Sequence, residues 1–130
     1  MRYLGIDYGH RKVGIAISDE AGVFAFPYQV IKNELLGKLV EEIKKICEKE
    51  GIEKIIVGES LDLSGQANPI QKDILIFKEK LEKEVSLPIN LQTEFFTSWE
   101  AKRVIDEEQK DEQTDARAAA LILKSYLDGL

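Results

Sequence analysis

The chain has 130 residues, of which 44% are apolar and 32% charged, and its formal net charge is −6. Such a composition describes a soluble globule long enough to bury a core as one domain, 1–130. It excludes a membrane span, for want of a long apolar run, and argues against a broad electrostatic grip on nucleic acid without excluding one.

Two short apolar runs, Tyr3–Ile6 and Val13–Ile17, flank a polar break containing Gly9 and predict a β-hairpin. In both runs bulky residues alternate with small ones: Leu4 and Ile6 against Gly5, then Val13, Ile15 and Ile17 against Gly14 and Ala16. That alternation predicts central strands, with bulk packed on one face and a helix approaching closely on the other. Val23–Ile31 reads as a third antiparallel strand, Pro27 marking an edge or a bulge. Asn33 is placed to cap a helix over residues 34–50, whose apolar stripe includes Leu39, Val40, Ile43, Ile46 and Cys47 and stops at Gly51. Cys47 is the only cysteine, which fits a reducing compartment, and it lies far along the chain from His10, the only histidine. A core thiol is therefore expected rather than a catalytic one. Nothing at the start resembles a signal peptide, so a cytoplasmic setting is expected.

Lys54–Gly58 carries the continuous β-branched run of a buried parallel strand reached by a helical crossover. After a polar loop at 59–68, Pro69 opens a helix that runs to residue 84 with Ile70, Ile74, Phe77 and Leu81 on one face. Pro88–Phe96 gives the fifth strand, and Thr97–Glu100 matches a capping box that starts a helix reaching residue 108. A charged break at 109–113 precedes the last helix, 114–128. The order β-β-β-α-β-α-β-α-α predicts an α/β fold. Its mixed five-stranded sheet has three antiparallel strands followed by two parallel ones, with helices on both faces.

In that topology the ends of strands one, four and five and the start of the last helix converge at one edge of the sheet. Each carries an acid: Asp7, Glu59, Glu94 and Asp115. Taken singly, Asp7 either makes turn hydrogen bonds or holds a cation, Asp115 suits the helix dipole, and Glu59 and Glu94 suit solvated positions. Taken together, they supply hard oxygen donors from separate segments, which is what magnesium or manganese needs. Ala116, Ala118, Ala119 and Ala120 let the last helix lie close to the sheet. Just beyond Asp7, His10, Arg11 and Lys12 either contact a phosphate or form a solvated turn. Arg117 either joins the site beside Asp115 or pairs with a nearby acid.

Four stretches in order resemble the YqgF family (also called RuvX), Holliday junction resolvases and pre-16S rRNA nucleases with a ribonuclease H-like fold. Gly5–Ala16 is similar to the family's opening Asp-x-Gly motif and the strand after it. Residues 55–58 with 61–65 are similar to its second motif, 93–101 to its third and 115–123 to its fourth. By this resemblance Asp7, Glu94 and Asp115 are the catalytic acids. They would hold two magnesium or manganese ions, Asp7 bridging both and Glu59 a candidate fourth ligand. His10, Arg11, Lys12 and Arg117 are the candidate nucleic-acid contacts. Three departures stand out: Thr93-Glu94-Phe95 where the family reads Asp-Glu-Arg, Glu59-Ser60 where it has an apolar residue and Pro, and an acidic run at 106–112.

The resemblance implies a metal-dependent endonuclease for structured nucleic acid, processing the 5′ end of pre-16S rRNA, with four-way DNA junctions as the alternative substrate. No membrane partner is implied, and the oligomeric state is left open between a monomer and a weak homodimer. Two readings of other kinds compete. Asp-x-Gly before a hairpin also resembles the phosphate loop of actin-like ATPases and sugar kinases, which close two such domains where this chain supplies one. A non-catalytic nucleic-acid-binding or ribosome-biogenesis module would share the fold without the chemistry.

Overall fold

A computed structural model of the chain describes residues 1–60, 70–94 and 114–130, the side chains of Ser60 and Glu94 lying outside that description. The predicted helix over 97–108, the charged break at 109–113, Pro69 and Phe95 also lie outside the described residues. The elements are β1 (Tyr3–Tyr8), β2 (Lys12–Ser18), β3 (Ala25–Lys32), α1 (Leu36–Glu50), β4 (Lys54–Ser60), α2 (Ile70–Glu84), β5 (Ile89–Glu94) and α3 (Thr114–Asp128). The strands form one five-stranded sheet in the order β3-β2-β1-β4-β5. β1 pairs antiparallel with β2 and parallel with β4, β2 pairs antiparallel with β3, and β4 parallel with β5. This is the mixed sheet that the alternation of runs predicts.

The two faces of the sheet are packed differently. Leu4 and Ile6 of β1, Val13 and Ile15 of β2, and Ile55 and Val57 of β4 project to one side. There they meet Leu39 and Ile43 of α1 and Ile74, Phe77 and Leu81 of α2. On the other side Tyr3, Ala16 and Ile56 meet Ala119, Ile122 and Leu123 of α3. The small residues between the bulky ones are what let α3 lie down. A Cβ at Gly5 would stand 2.7 Å from the Leu123 Cβ, and one at Gly58 would stand 2.5 Å from the Ile122 Cδ1.

Pro27 sits where the β2–β3 register jumps from Ile15↔Gln29 to Ala16↔Pro27, leaving Tyr28 as the extra residue of a bulge on an edge strand. A residue without an N–H is tolerated there. One expectation is corrected. Asn33 does not cap α1; Leu35 takes that place in extended conformation without a side-chain bond. Asn33 instead donates its side-chain amide to the Gly9 carbonyl at 2.7 Å and its backbone N–H to the Arg11 carbonyl at 2.8 Å. It ties the chain after β3 to the β1–β2 turn. Gly51 ends α1 in the left-handed conformation, φ 65°, as a residue without a Cβ can.

Candidate active site

Asp7 pairs with Gly14 across the β1–β2 ladder and is only 8% exposed. Successive strand residues alternate in face, so with Leu4 and Ile6 committed to the α1–α2 side, Asp7 belongs to the α3 side. Gly14 lies on that same side, and a methyl group there would overlap the Asp115 carbonyl and approach the Ala116 nitrogen to 2.9 Å. The first turn of α3 therefore rests directly on the strand position beside Asp7. The backbone of Asp115 comes this close because β2 carries a glycine at that one rung. The positive end of the α3 dipole arrives with it, and this favours charge on a carboxylate whose burial would otherwise be costly.

Glu94 is the last residue of β5, its backbone paired with Ser60 at the same end of the sheet as Asp7. Glu59 does not join Asp7. β4 continues through Ser60 instead of ending at Gly58, so Glu59 is a strand residue on the face of Ile55 and Val57. Its carboxylate is occupied there: Gln71 donates to Oε1 at 2.9 Å and the Thr93 hydroxyl to Oε2 at 3.1 Å. Neither donor stood out in the sequence. Gln71 is buried in the first turn of α2, and Thr93 is the register partner of Glu59. Both contacts depend on the two extra residues of β4.

His10 stands on the β1–β2 turn with Nε2 3.1 Å from the Asp73 Oδ2 of α2, both groups exposed. Arg11 and Lys12 are exposed beside it, and Arg117 is half-buried in α3 two residues after Asp115. Cys47 is remote from this edge, on α1, and burial pushes its thiol up to about 12. A protonated thiol is a poor nucleophile and a poor ligand, so it takes no part.

No group of three or more His, Cys, Asp or Glu side chains placed to hold a metal ion occurs among the described residues. The described donors on the α3 face are thus Asp7 and Asp115, with the backbone of Glu94 at the neighbouring strand end. Carboxylates drawn from a strand and a helix suit a hard divalent cation and not a soft one.

A profile of the RuvX family, described as Holliday junction resolvase, matches residues 1–129. A protein of Thermoanaerobacter pseudethanolicus named “Putative pre-16S rRNA nuclease” is 37% identical, over 98% of this chain and 96% of its own length. One of the same name from Maridesulfovibrio salexigens is 33% identical over 98% of each chain. Among solved structures, the chain is similar to T. thermophilus RuvC in complex with Holliday junction substrate. The TM-score is 0.59 at 16% identity, covering 99% of this chain and 95% of that one. The fowlpox virus Holliday junction resolvase gives a TM-score of 0.57 at 14% identity over 100% of both chains. These two likenesses are of fold, and the fold is ribonuclease H-like.

Proposed function

The chain belongs to the RuvX family of Holliday junction resolvases, and from that premise we propose a specific activity within its nuclease function. It is a divalent-metal-dependent endonuclease for structured nucleic acid whose substrate is the 5′ end of pre-16S rRNA. The observation that supports the reading is the seating of the first α3 turn on Gly14, with the backbone of Asp115 against the rung that pairs with the buried Asp7.

In this reading Asp7, Glu94 and Asp115 would hold magnesium or manganese. When bound, such ions lower the pKa of an attacking water and stabilise the leaving oxygen of a phosphodiester. The chain's own residues set the geometry. Asp7 comes from a central strand paired on both sides, so it has little freedom to move. Asp115 is fixed by backbone contact and not by an adjustable side chain. Glu59 is assigned no metal; it ties the end of β4 to α2 through Gln71 and to β5 through Thr93. His10, Arg11, Lys12 and Arg117 stand as contacts to the substrate backbone, working locally in an acidic protein.

RNA is favoured as substrate by the names of the similar proteins. The family description supports four-way DNA as the second reading. Symmetric cleavage of a junction needs two active sites and hence two copies of the chain. Incubating the purified protein, with magnesium or manganese, on a pre-16S rRNA 5′ fragment and on a four-way junction separates these. Asp7→Asn keeps volume and removes charge. It should reduce cleavage by about 10²-fold or more, the scale seen when one preorganised electrostatic partner is lost, while leaving the melting temperature in place. Wild-type rates from this variant would overturn the mechanism, and binding without cleavage by the wild type would favour a non-catalytic module.

A further inference from the structure

Lys12 and Lys32 are direct cross-strand partners in the β2–β3 ladder. The adjacent rung, Val13↔Ile31, points into the core under α1. By alternation Lys12 and Lys32 stand on the opposite face, the face of Gly14, Asp7 and α3. Two residues along a strand span about 6.8 Å, so this lysine rung lies just beyond the Gly14 rung on which Asp115 rests. Both lysines are exposed, and neither joins an ion pair or a side-chain hydrogen bond among the described residues. Like charges directly opposite each other on neighbouring strands are destabilising.

We propose that Lys12 and Lys32 together form a seat for one phosphate of the nucleic-acid backbone, adjacent to the phosphate being cleaved. The inference rests on the nuclease reading above and adds to it a direction: the bound strand leaves the carboxylates toward β3. Two ammonium groups bracket a phosphate as point charges without demanding one geometry, which suits a backbone contact that carries no sequence information. An anion seated between the lysines would offset their mutual repulsion. Lys32 is the residue that the sequence does not reveal, because its pairing with Lys12 depends on the register around the Tyr28 bulge.

The test uses the full chain and the variants Lys12→Gln and Lys32→Gln. Binding of a labelled pre-16S rRNA fragment and of a four-way DNA junction is measured with chelator present across a series of salt concentrations. Each substitution should flatten the slope of log K against log salt by about 0.7 for single-stranded contacts or about 0.9 for duplex contacts. With metal restored, KM should rise more than kcat falls. Lys45→Gln serves as control, since its ammonium already pairs with Glu41 on α1. Lys32→Gln should also leave the melting temperature level or higher, the repulsion being gone. Unchanged slope and KM in both variants, with a wild type that cleaves, would overturn the seat and leave the nuclease standing. An equal flattening by Lys45→Gln would reduce the effect to bulk charge and also overturn it. A wild type that neither binds nor cleaves either nucleic acid would overturn both readings.

Discussion

The two faces of the sheet are built by opposite rules. Under α1 and α2, branched and aromatic side chains fill the space: Leu4, Ile6, Ile15, Ile55, Phe77 and Leu81 are fully buried there. On that face Glu59 accepts hydrogen bonds from two uncharged donors. Under α3, the strands present Gly5, Gly14, Ala16 and Gly58, and the helix lies on their backbone. The face with least side chain carries Asp7, Asp115 and the lysine pair. A core of large side chains can repack by small rotamer shifts after substitution, whereas a backbone-to-backbone contact has nothing to adjust. Bulky packing and close helix placement are therefore drawn from different sides of one sheet, and the carboxylates proposed to hold metal lie on the side that tolerates least.

Substitutions can separate the two roles. Phe77→Ala empties the centre of the packed face and should cost about 3–5 kcal/mol of unfolding free energy. Turnover per folded molecule should stay near the wild-type value. Gly14→Ala meets backbone with no side chain to give way, and should cost a comparable amount, about 3 kcal/mol. It should nevertheless reduce turnover at least as far as about tenfold, because the Asp115 turn must shift and small misplacements at a reacting centre are expensive. Urea melts read beside specific activity corrected for the folded fraction give both quantities. If Phe77→Ala damages turnover of the folded fraction more than Gly14→Ala does, the division between faces is wrong.

A smaller effect probes the bond from Thr93 to Glu59, beside Glu94 in β5. Thr93→Val removes the hydroxyl that Glu59 accepts from and should cost about 1 kcal/mol, discounted because the group is partly exposed. Thr93 directly precedes Glu94 in β5, so activity should fall by a few-fold, and Thr93→Ser should restore it. Glu59→Gln should likewise weaken activity far less than Asp7→Asn. A loss as deep as that of Asp7→Asn would return Glu59 to the ligand set.

What could be read from the residues divides along the same line. The bounds of α3, 114–128, and the bulky-and-small alternation of β1 and β2 follow from local periodicity, and the structure has them as expected. The positions of Asp7 near the end of β1 and of Asp115 in the first turn of α3 were legible because both are local features. Glu59 was misplaced because a strand end is weakly marked. Glu59-Ser60 looks like the start of a loop, yet pairing with Thr93 and Glu94 extends β4 by two residues. Asn33 has the side chain of a helix cap, but the Gly9 carbonyl, brought near by the hairpin, takes its amide. Lys32 needed a register across a bulge, which no local pattern encodes.

The smallest expected effect concerns Cys47, the nucleophile-type side chain of the packed face. Its thiol is held up at about 12, against an ordinary value of 9.0, chiefly by desolvation, with the neighbouring Glu48 charge adding to the shift. A raised value in the folded state means that folding favours the protonated form. That contribution to stability is complete below pH 9 and is lost as the pH climbs from 9 toward 12. At pH 8 the native thiol should therefore resist iodoacetamide, and the urea-unfolded chain should react at the rate of a free cysteine. Cys47→Ala should cost roughly 1 kcal/mol, the scale of one buried methylene-sized group, and leave cleavage intact. Alkylation of the native protein at the unfolded rate would mean that the α1 stripe is open to solvent. Loss of cleavage in Cys47→Ala with stability retained would place chemistry on the face that, by its packing, should have none.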